Sequence, residues 1–364
     1  MPTPFTGQLR ANEIYSTDFN MILSQSVNAN NIADGYGSLV ERARVEGGMM
    51  GDTKLYVETD ALKSYLWNGD NEAANLLSIY RPTDPVTQAI IVDTFRQIPV
   101  TTDEYLSRRM WISEGAFASF NGVILGWLSV GKKIYDEGIY NTFIGTNITS
   151  VGQQSLTVSL AAVNAASTTV DEEAQARIRG QKIAEFLSNL FFKLRRPSRD
   201  YNDLQFLRSF SISDLVVVWN SKYVSEVAKI DLPTVFHDDK VIGELFKDEN
   251  ILPEEYFGAV NAAATAGDGT SVRSLVEQDI GTNHYYPGDL ILVGDTAPAG
   301  TSYTQSGKII CKVISKDLPP YCSGFSVGTS FFNAKSLTTN SYLTFSHNTL
   351  EHLAGKPFIT IEEA

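Results

Sequence analysis

The sequence predicts an α+β protein, because strand-like runs stand before, between and after two long helices. Three observations carry this. Leu215-Val216-Val217-Val218-Trp219 is continuously apolar, the pattern of a strand buried on both faces. Ala174, Ile178, Ile183, Phe186, Leu187, Leu190, Phe191 and Leu194 recur at helical spacing, and Pro197 ends the run. Thr53–Thr59 and Gln88–Val100 are β-like runs on either side of Asn68-Gly69, a turn signal in which both residues accept positive φ.

Taken in order, residues 1 to about 50 are rich in Asn, Ser, Gly and Ala and read as an extended arm, with one short helix around Ser38–Ala43. Gly47, Gly48 and Gly51 punctuate the chain before the first strand run. The two strand runs form a long protruding hairpin. Leu62, Tyr65, Leu66, Trp67, Leu76, Leu77, Ile79 and Tyr80 in its middle are too apolar for a free loop. So long a hairpin buries little within itself, so it should dock on something else. Thr101-Thr102-Asp103-Glu104 matches a capping box and predicts a helix start, with a longer helix after a break near Ser113. Its apolar positions are Phe117, Phe120, Ile124, Leu128, Ile134 and Tyr135. Gly122, Gly126 and Gly131 within it predict close approach by another backbone.

Residues 147–168 read as a strand or a loop, and Thr169-Val170-Asp171-Glu172 as the cap of the second helix. After Leu215–Trp219, Asn220-Ser221 caps a short helix through Ile230. A linker-like run, Asn261–Thr270, leads into strands of which Asp289–Val293 and Lys308–Ile314 are the clearest, and Pro357–Ile361 is a final one.

Length and composition bound the function. At 364 residues the chain suggests about two domains, and 43% hydrophobic residues suffice for a substantial core. The net charge of −13 disfavours a protein that grips nucleic acid with its whole surface. Arg177, Arg179, Lys182, Lys193, Arg195, Arg196 and Arg199 against Glu185 make the one markedly basic stretch, part of which complements the helix dipole. Cys311 and Cys322 exclude a disulfide scaffold, and ten intervening residues exclude a C-x-x-C motif. Neither a membrane-length apolar run nor a signal peptide is apparent, so a soluble, cytoplasmic protein is expected. His347 and His352 are five apart, a spacing that does not share a helix face, and His237-Asp238-Asp239 has no second histidine nearby. Phosphate loops and nucleophile elbows are absent. No catalytic, cofactor or metal site is expected, and the chain is not expected to be an enzyme.

An arm, an apolar-tipped hairpin and a glycine-studded helix ahead of an α+β body are devices for reaching neighbours. The chain resembles the major capsid proteins of tailed bacteriophages of the Hong Kong 97 fold, closest in feel to those of small short-tailed phages. Leu215–Trp219 with the helix after Asn220 resembles a unit of the axial domain. Pro197-Ser198-Arg199-Asp200-Tyr201-Asn202 resembles a stretch in the short-tailed phage proteins, and Asn340–Ile361 resembles their last segment.

The resemblance implies an N-terminal arm (1–50), an extended loop (51–100) and a peripheral domain with a long spine helix (101–210). An axial domain (211–335) and a return to the peripheral domain (336–364) follow. It implies pentamers and hexamers of this chain in an icosahedral shell around double-stranded DNA, with portal and scaffolding proteins as partners. No cofactor and no membrane are implied; the protein would be assembled in the host cytoplasm and found in the virion. Tyr65, Leu66 and Trp67 are the candidate inter-subunit contacts. Lys193, Arg195, Arg196 and Arg199 are the candidate basic patch, facing either the lumen, in non-specific contact with DNA, or a neighbour. The alternatives are an encapsulin-type compartment and an enzyme or carbohydrate-binding protein with an unrecognised site.

Overall fold

The structure is a computed structural model that describes residues 39–46, 53–65, 79, 81–103, 114–147, 154–160, 172–228 and 250–364. Helix α1 (Leu39–Ala43) runs into strand β1 (Arg44–Glu46), followed by β2 (Thr53–Glu58) and the long β3 (Val86–Asp103). Helix α2 (Glu114–Gly145) leads to β4 (Thr146–Asn147) and β5 (Gln154–Val158), then α3 (Glu172–Arg195), β6 (Leu215–Asn220) and α4 (Ser221–Ala228). Short strands follow: β7 (Ile251–Leu252), β8 (Gly258–Val260), β9 (Thr265–Ala266), β10 (Val272–Ser274), β11 (Gln278–Ile280), β12 (Asn283–Tyr285), β13 (Thr296–Ala297) and β14 (Ser302–Gln305). The chain ends with β15 (Ile309–Ser315), β16 (Tyr321–Asn333), β17 (Thr338–Asn348) and β18 (Phe358–Glu363).

Two five-stranded sheets organise the molecule. The central sheet has the order β5-β18-β15-β6-β7. Every residue of β6 and β15 is buried, as their continuous apolar runs require. Side chains alternate between the two faces. Val217, Trp219, Cys311, Val313, Ile359 and Ile361 meet α3 and α4 on one side, through Ile183, Leu187, Leu190, Phe191, Leu194 and Tyr223. Val216, Val218, Ile314 and Phe358 meet α1 and the C-terminal part of α2 on the other, through Leu39, Val40, Tyr140, Phe143 and Ile144. Asn220 joins sheet to helix: its side-chain oxygen accepts from the Lys222 N–H at 3.0 Å, capping α4, and its Nδ2 donates to the Ile309 carbonyl at 2.9 Å.

The second sheet, β1-β16-β17-β3-β2, is built from long strands. β3 pairs with β17 from Asp103 to Val92, then runs on alone with β2, from Ile91 opposite Thr53 to Val86 opposite Glu58. That continuation is the expected hairpin, a two-stranded ribbon. The short strands between Gly258 and Gln305 make a small lobe around Val272, Ile280, Tyr285, Ile291 and Ala297. The segment 336–364 is divided, β17 lying in the long sheet and β18 in the central one.

Four expectations are corrected. Thr101-Thr102-Asp103 is not a helix cap but the end of β3, held by pairing with Thr338, Thr339 and Asn340, while the longer helix starts at Glu114, as the break near Ser113 predicts. Asp289–Val293 is not a strand, since Leu290 makes only an isolated bridge to Arg273 and the run turns at Leu292–Asp295 around Gly294, at φ 98°. The close backbone approach along α2 falls elsewhere than expected. A Cβ on Gly126 would meet nothing and one on Gly131 only the Ile98 side chain, whereas on Gly145 it would strike the Tyr256 carbonyl oxygen. Ile178, placed on the buried stripe of α3, is 40% exposed. The arm before Leu39, the surroundings of Gly122, the side chains of Phe117, Phe120 and Ile124, the Thr169–Asp171 cap and His237 lie outside what is described.

Candidate inter-subunit surface

β3 shows why the ribbon cannot be self-sufficient. From Gln88 to Thr102 its even-numbered residues, among them Ile90, Val92 and Thr102, turn inward, and its odd-numbered residues from Thr87 to Thr101 are exposed. Ile90 and Val92 pack with Cys322, Leu353, Val45 and Tyr56. On the opposite face Leu55 is 64% exposed and Val57 58%, and Ile91 and Phe95 are each more than half exposed. Leu55 lies opposite Ala89 and Val57 opposite Thr87, so these residues share one face and form an apolar stripe. Towards the tip Leu62, Tyr65 and Ile79 are exposed as well. Leu66 and Trp67 lie outside the described residues.

Polar contacts pin the ribbon to the body at its far end, through Glu58, Thr59 and Asp60, and towards its root, through Gln88 and Asp93. Arg208 donates to Glu58 and to the Thr59 carbonyl, both at 2.7 Å. The Leu207 N–H donates to Asp60 at 2.9 Å, and Arg199 pairs with Asp60 at 2.9 Å. Those two partners, the Leu207 N–H first, hold the Asp60 carboxyl below its ordinary pKa. Gln88 exchanges hydrogen bonds with His352 and Ala354. Asp93 accepts from the Thr349 N–H at 2.8 Å and its hydroxyl at 2.7 Å. Burial pushes that carboxyl up, but the Thr349 bonds more than offset it. The ribbon is therefore held to the body at both ends of its paired length, and its outer apolar face is presented.

The basic stretch divides in two. Arg177 pairs with Glu173, Arg179 makes a two-pronged pair with Glu226 across to α4, and Lys182 pairs with Glu185. Arg199 serves the far end of the ribbon, through Asp60. Lys193, Arg195 and Arg196 are exposed at the C-terminus of α3 without an ion pair among the described residues, beside a Phe192 that is 68% exposed.

A buried polar network locks α2 to the long sheet. Asp136 receives Lys132 at 2.6 Å, the Tyr321 hydroxyl at 2.6 Å and Arg44 of β1 at 3.3 Å. The Tyr135 hydroxyl meets His347 Nε2 at 2.8 Å, while His347 Nδ1 meets the Asn348 carbonyl at 2.8 Å. A carbonyl only accepts, so the proton sits on Nδ1 and Nε2 accepts from Tyr135. Burial lowers the His347 pKa, which keeps this ring neutral. His352 instead pairs with Asp203 at 2.6 Å, so the two histidines serve different joints. Among the described residues no cluster could hold a metal ion, and no helix is long and apolar enough to cross a membrane. Further along, α2 parts from the sheet and leaves a groove of about 370 Å³, lined by Leu128, Ser129, Gly328, Thr329, Ser330, Ser341, Tyr342 and Leu343.

The bare stripe was not singled out in the sequence. Its signal is the apolar residue on both faces of β2, Tyr56 on one and Leu55 and Val57 on the other.

The ribbon is held to the body at both ends and presents a bare apolar stripe. No protein-family model matches the chain, and no curated protein matches it. Among solved structures, the chain is similar to one in the capsid of Staphylococcus phage Andhra, at 11% identity and a TM-score of 0.61, over 92% of this chain and 86% of that one. Weaker likenesses are to the capsid of cyanophage P-SCSP1u (12% identity, TM-score 0.47, 91% and 90% covered) and the mature capsid of bacteriophage PhiM1 (9%, 0.44, 92% and 89%). The Andhra likeness shows the fold, an α+β fold of the Hong Kong 97 capsid type.

Proposed function

We propose that the chain is a major capsid protein, assembling as pentamers and hexamers into an icosahedral shell around double-stranded DNA and residing in the virion. The single observation that carries this is the rooted ribbon with a bare apolar stripe, on a fold shared with a phage capsid subunit. Its role is structural rather than catalytic. The ribbon and its tip, with Tyr65, Leu66 and Trp67, are the extended loop that grips a neighbour. The long sheet with α2 serves as the peripheral domain, and the central sheet with the small lobe as the axial one. Lys193, Arg195 and Arg196 supply a salt-dependent contact with phosphate. Portal and scaffolding proteins complete the assembly in the host cytoplasm.

The test is particle mass and shape, by light scattering and negative-stain microscopy, of the chain expressed with the genes that flank it. Closed shells, or rings of five and six, are expected, and nuclease-protected DNA inside them separates a phage head from an encapsulin-type compartment. Tyr65→Ala with Trp67→Ala should lower shell yield at least tenfold while the subunit stays folded. A monomer under all these conditions, or normal shells from the double variant, would overturn the assignment.

A further inference from the structure

One strand edge in the molecule lacks the usual protection. β16 pairs with β17 along one side and with β1 on the other only over Tyr321–Ser323, so from Ser326 to Asn333 its outer edge faces no described strand. Free edges are ordinarily blunted by lysine, proline, a bulge or a covering element. Here Ser-Val-Gly-Thr-Ser-Phe-Phe-Asn carries no charge and no proline, and its pairing with β17 is regular from Ser326 onward. Nothing described covers it: Val327, Phe331 and Phe332 are 44%, 64% and 47% exposed, and a Cβ on Gly328 would meet nothing within 4 Å. The connection after β1 has no length to cover it either. Seven Cα steps from Glu46 to Thr53, about 25 Å at full stretch, must span the four strand spacings from β1 to β2, about 19 Å.

We infer that this edge joins two copies of the chain by antiparallel pairing of β16 with β16, making one ten-stranded sheet across a two-fold axis. The edge is complementary to itself. Two identical surfaces on a chain of net charge −13 repel unless the contact is uncharged, and this stretch is. In a two-fold contact each residue i meets a residue j whose own copy meets i. Centred on Thr329, the pairing sets Val327 against Phe331 twice, Gly328 against Ser330 twice and Thr329 against itself. Apolar–aromatic and Thr–Thr pairs are favourable across antiparallel strands. Through Thr344 and Asn340 of β17, Val327 and Phe331 stand in register with Gln97 and Thr101, on the exposed face of β3. Pairing therefore gathers four apolar side chains on that one face of the joined sheet. The strands from Ser326 to Phe332 supply on the order of six main-chain hydrogen bonds. The contact uses neither the ribbon nor its tip. Within the shell reading it links neighbouring rings; as a dimer it does not depend on that reading.

Sedimentation of the full chain over a range of concentrations tests this, and the wild type should dimerise reversibly. Thr329→Lys and Thr329→Asp each set like charges face to face at the centre of the pairing. Either alone should weaken the dimer at least tenfold with the subunit's thermal midpoint unchanged, and an equimolar mixture of the two should restore it. Thr329→Cys should oxidise to a disulfide-linked dimer by itself, because its partner is its own copy; the native Cys311 and Cys322 are buried. Ser326→Cys should not, since the register holds the two copies of Ser326 about 20 Å apart. A wild type that stays monomeric at every concentration overturns the pairing. So does a lysine variant that dimerises like the wild type, a mixture no tighter than its parts, or equal cross-linking from Ser326→Cys. Normal shells beside any of these leave the shell assignment standing. A dimer that forms where no ring or shell does leaves the pairing standing and removes the shell.

Discussion

The two five-stranded sheets use similar residues to opposite ends. The central sheet is covered by helices on both faces, and β6 and β15 have no exposed residue. The long sheet is covered by α2 on one face, and on the other Leu55, Val57, Ile91 and Phe95 stand in solvent. Burial of apolar area is worth ~25 cal/mol per Å², so the first sheet has realised its stabilisation within the subunit. The second holds an unrealised share that only another surface can supply. The difference teaches that one chain can carry a core for folding and a separate, pre-formed surface for assembly. Mutations should sort accordingly.

The largest effect belongs to the central sheet. Trp219 is 1% exposed between β15 and α3, and Trp219→Ala should cost about 3–5 kcal/mol by denaturant unfolding of the subunit. Next is the joint between the sheets and the spine helix. Asp136, 2% exposed, neutralises Lys132 and accepts from Tyr321; Asp136→Ala strands both, Arg44 keeping its pair with Glu41, and should cost about 3 kcal/mol. If either variant leaves the unfolding midpoint unchanged, the division of labour drawn here is wrong.

The same contrast decides what the sequence revealed. β6, β15 and α3 are legible because their burial is complete within the chain and their pattern follows one partner surface. The end of β3 is not, since Thr101-Thr102-Asp103 carries a local cap signal that eleven residues of pairing with β17 override. β16 and β17 escaped notice because their Ser, Thr and Asn residues pair into a sheet with one open face and show no strong periodicity. Asp289–Val293 misleads in the opposite sense: only Ile291 is fully buried, while Leu292 and Val293 are exposed. The apolar tip could be read as unsatisfied from composition alone.

A smaller effect sharpens the comparison inside the central sheet. Lys312 is fully buried on β15, donating to the Thr146 carbonyl at 2.6 Å just past the end of α2 and lying over the Phe358 ring. That helix has no basic residue in its last turn, so Lys312 supplies the cation its C-terminus favours. Burial pushes its pKa down to about 7, against a weak opposing pull from Glu362. Above that pH the folded chain holds a neutral amine while the unfolded chain, with a lysine pKa of ~10.4, stays protonated. The unfolded state then binds more protons, and stability rises with pH. Between pH 7 and 8 the gain should be about 1 kcal/mol. Further up, the thiols of the unfolded chain ionise near ~8.5 and oppose it. Unfolding curves of the wild type should show this rise and those of Lys312→Met should be flat across the same interval.

The smallest effect on folding should accompany a large one on assembly, within a single strand. Leu55 and Val57 point away from the body and Tyr56, between them, points into the cluster of Ile90, Val92, Cys322 and Leu353. Tyr56→Ala should lower subunit stability by about 1–2 kcal/mol, because it removes packing that the isolated chain already makes. Leu55→Ser with Val57→Ser should stay within about 0.5 kcal/mol of the wild type, since both side chains are exposed before and after folding. Yet the double variant should lose at least tenfold in assembled particles, because it deletes the surface the ribbon presents. If the ranking reverses, with the serine pair unfolding the subunit and the alanine leaving it intact, then the stripe is part of the subunit's own core. The long sheet would then differ from the central one only in degree.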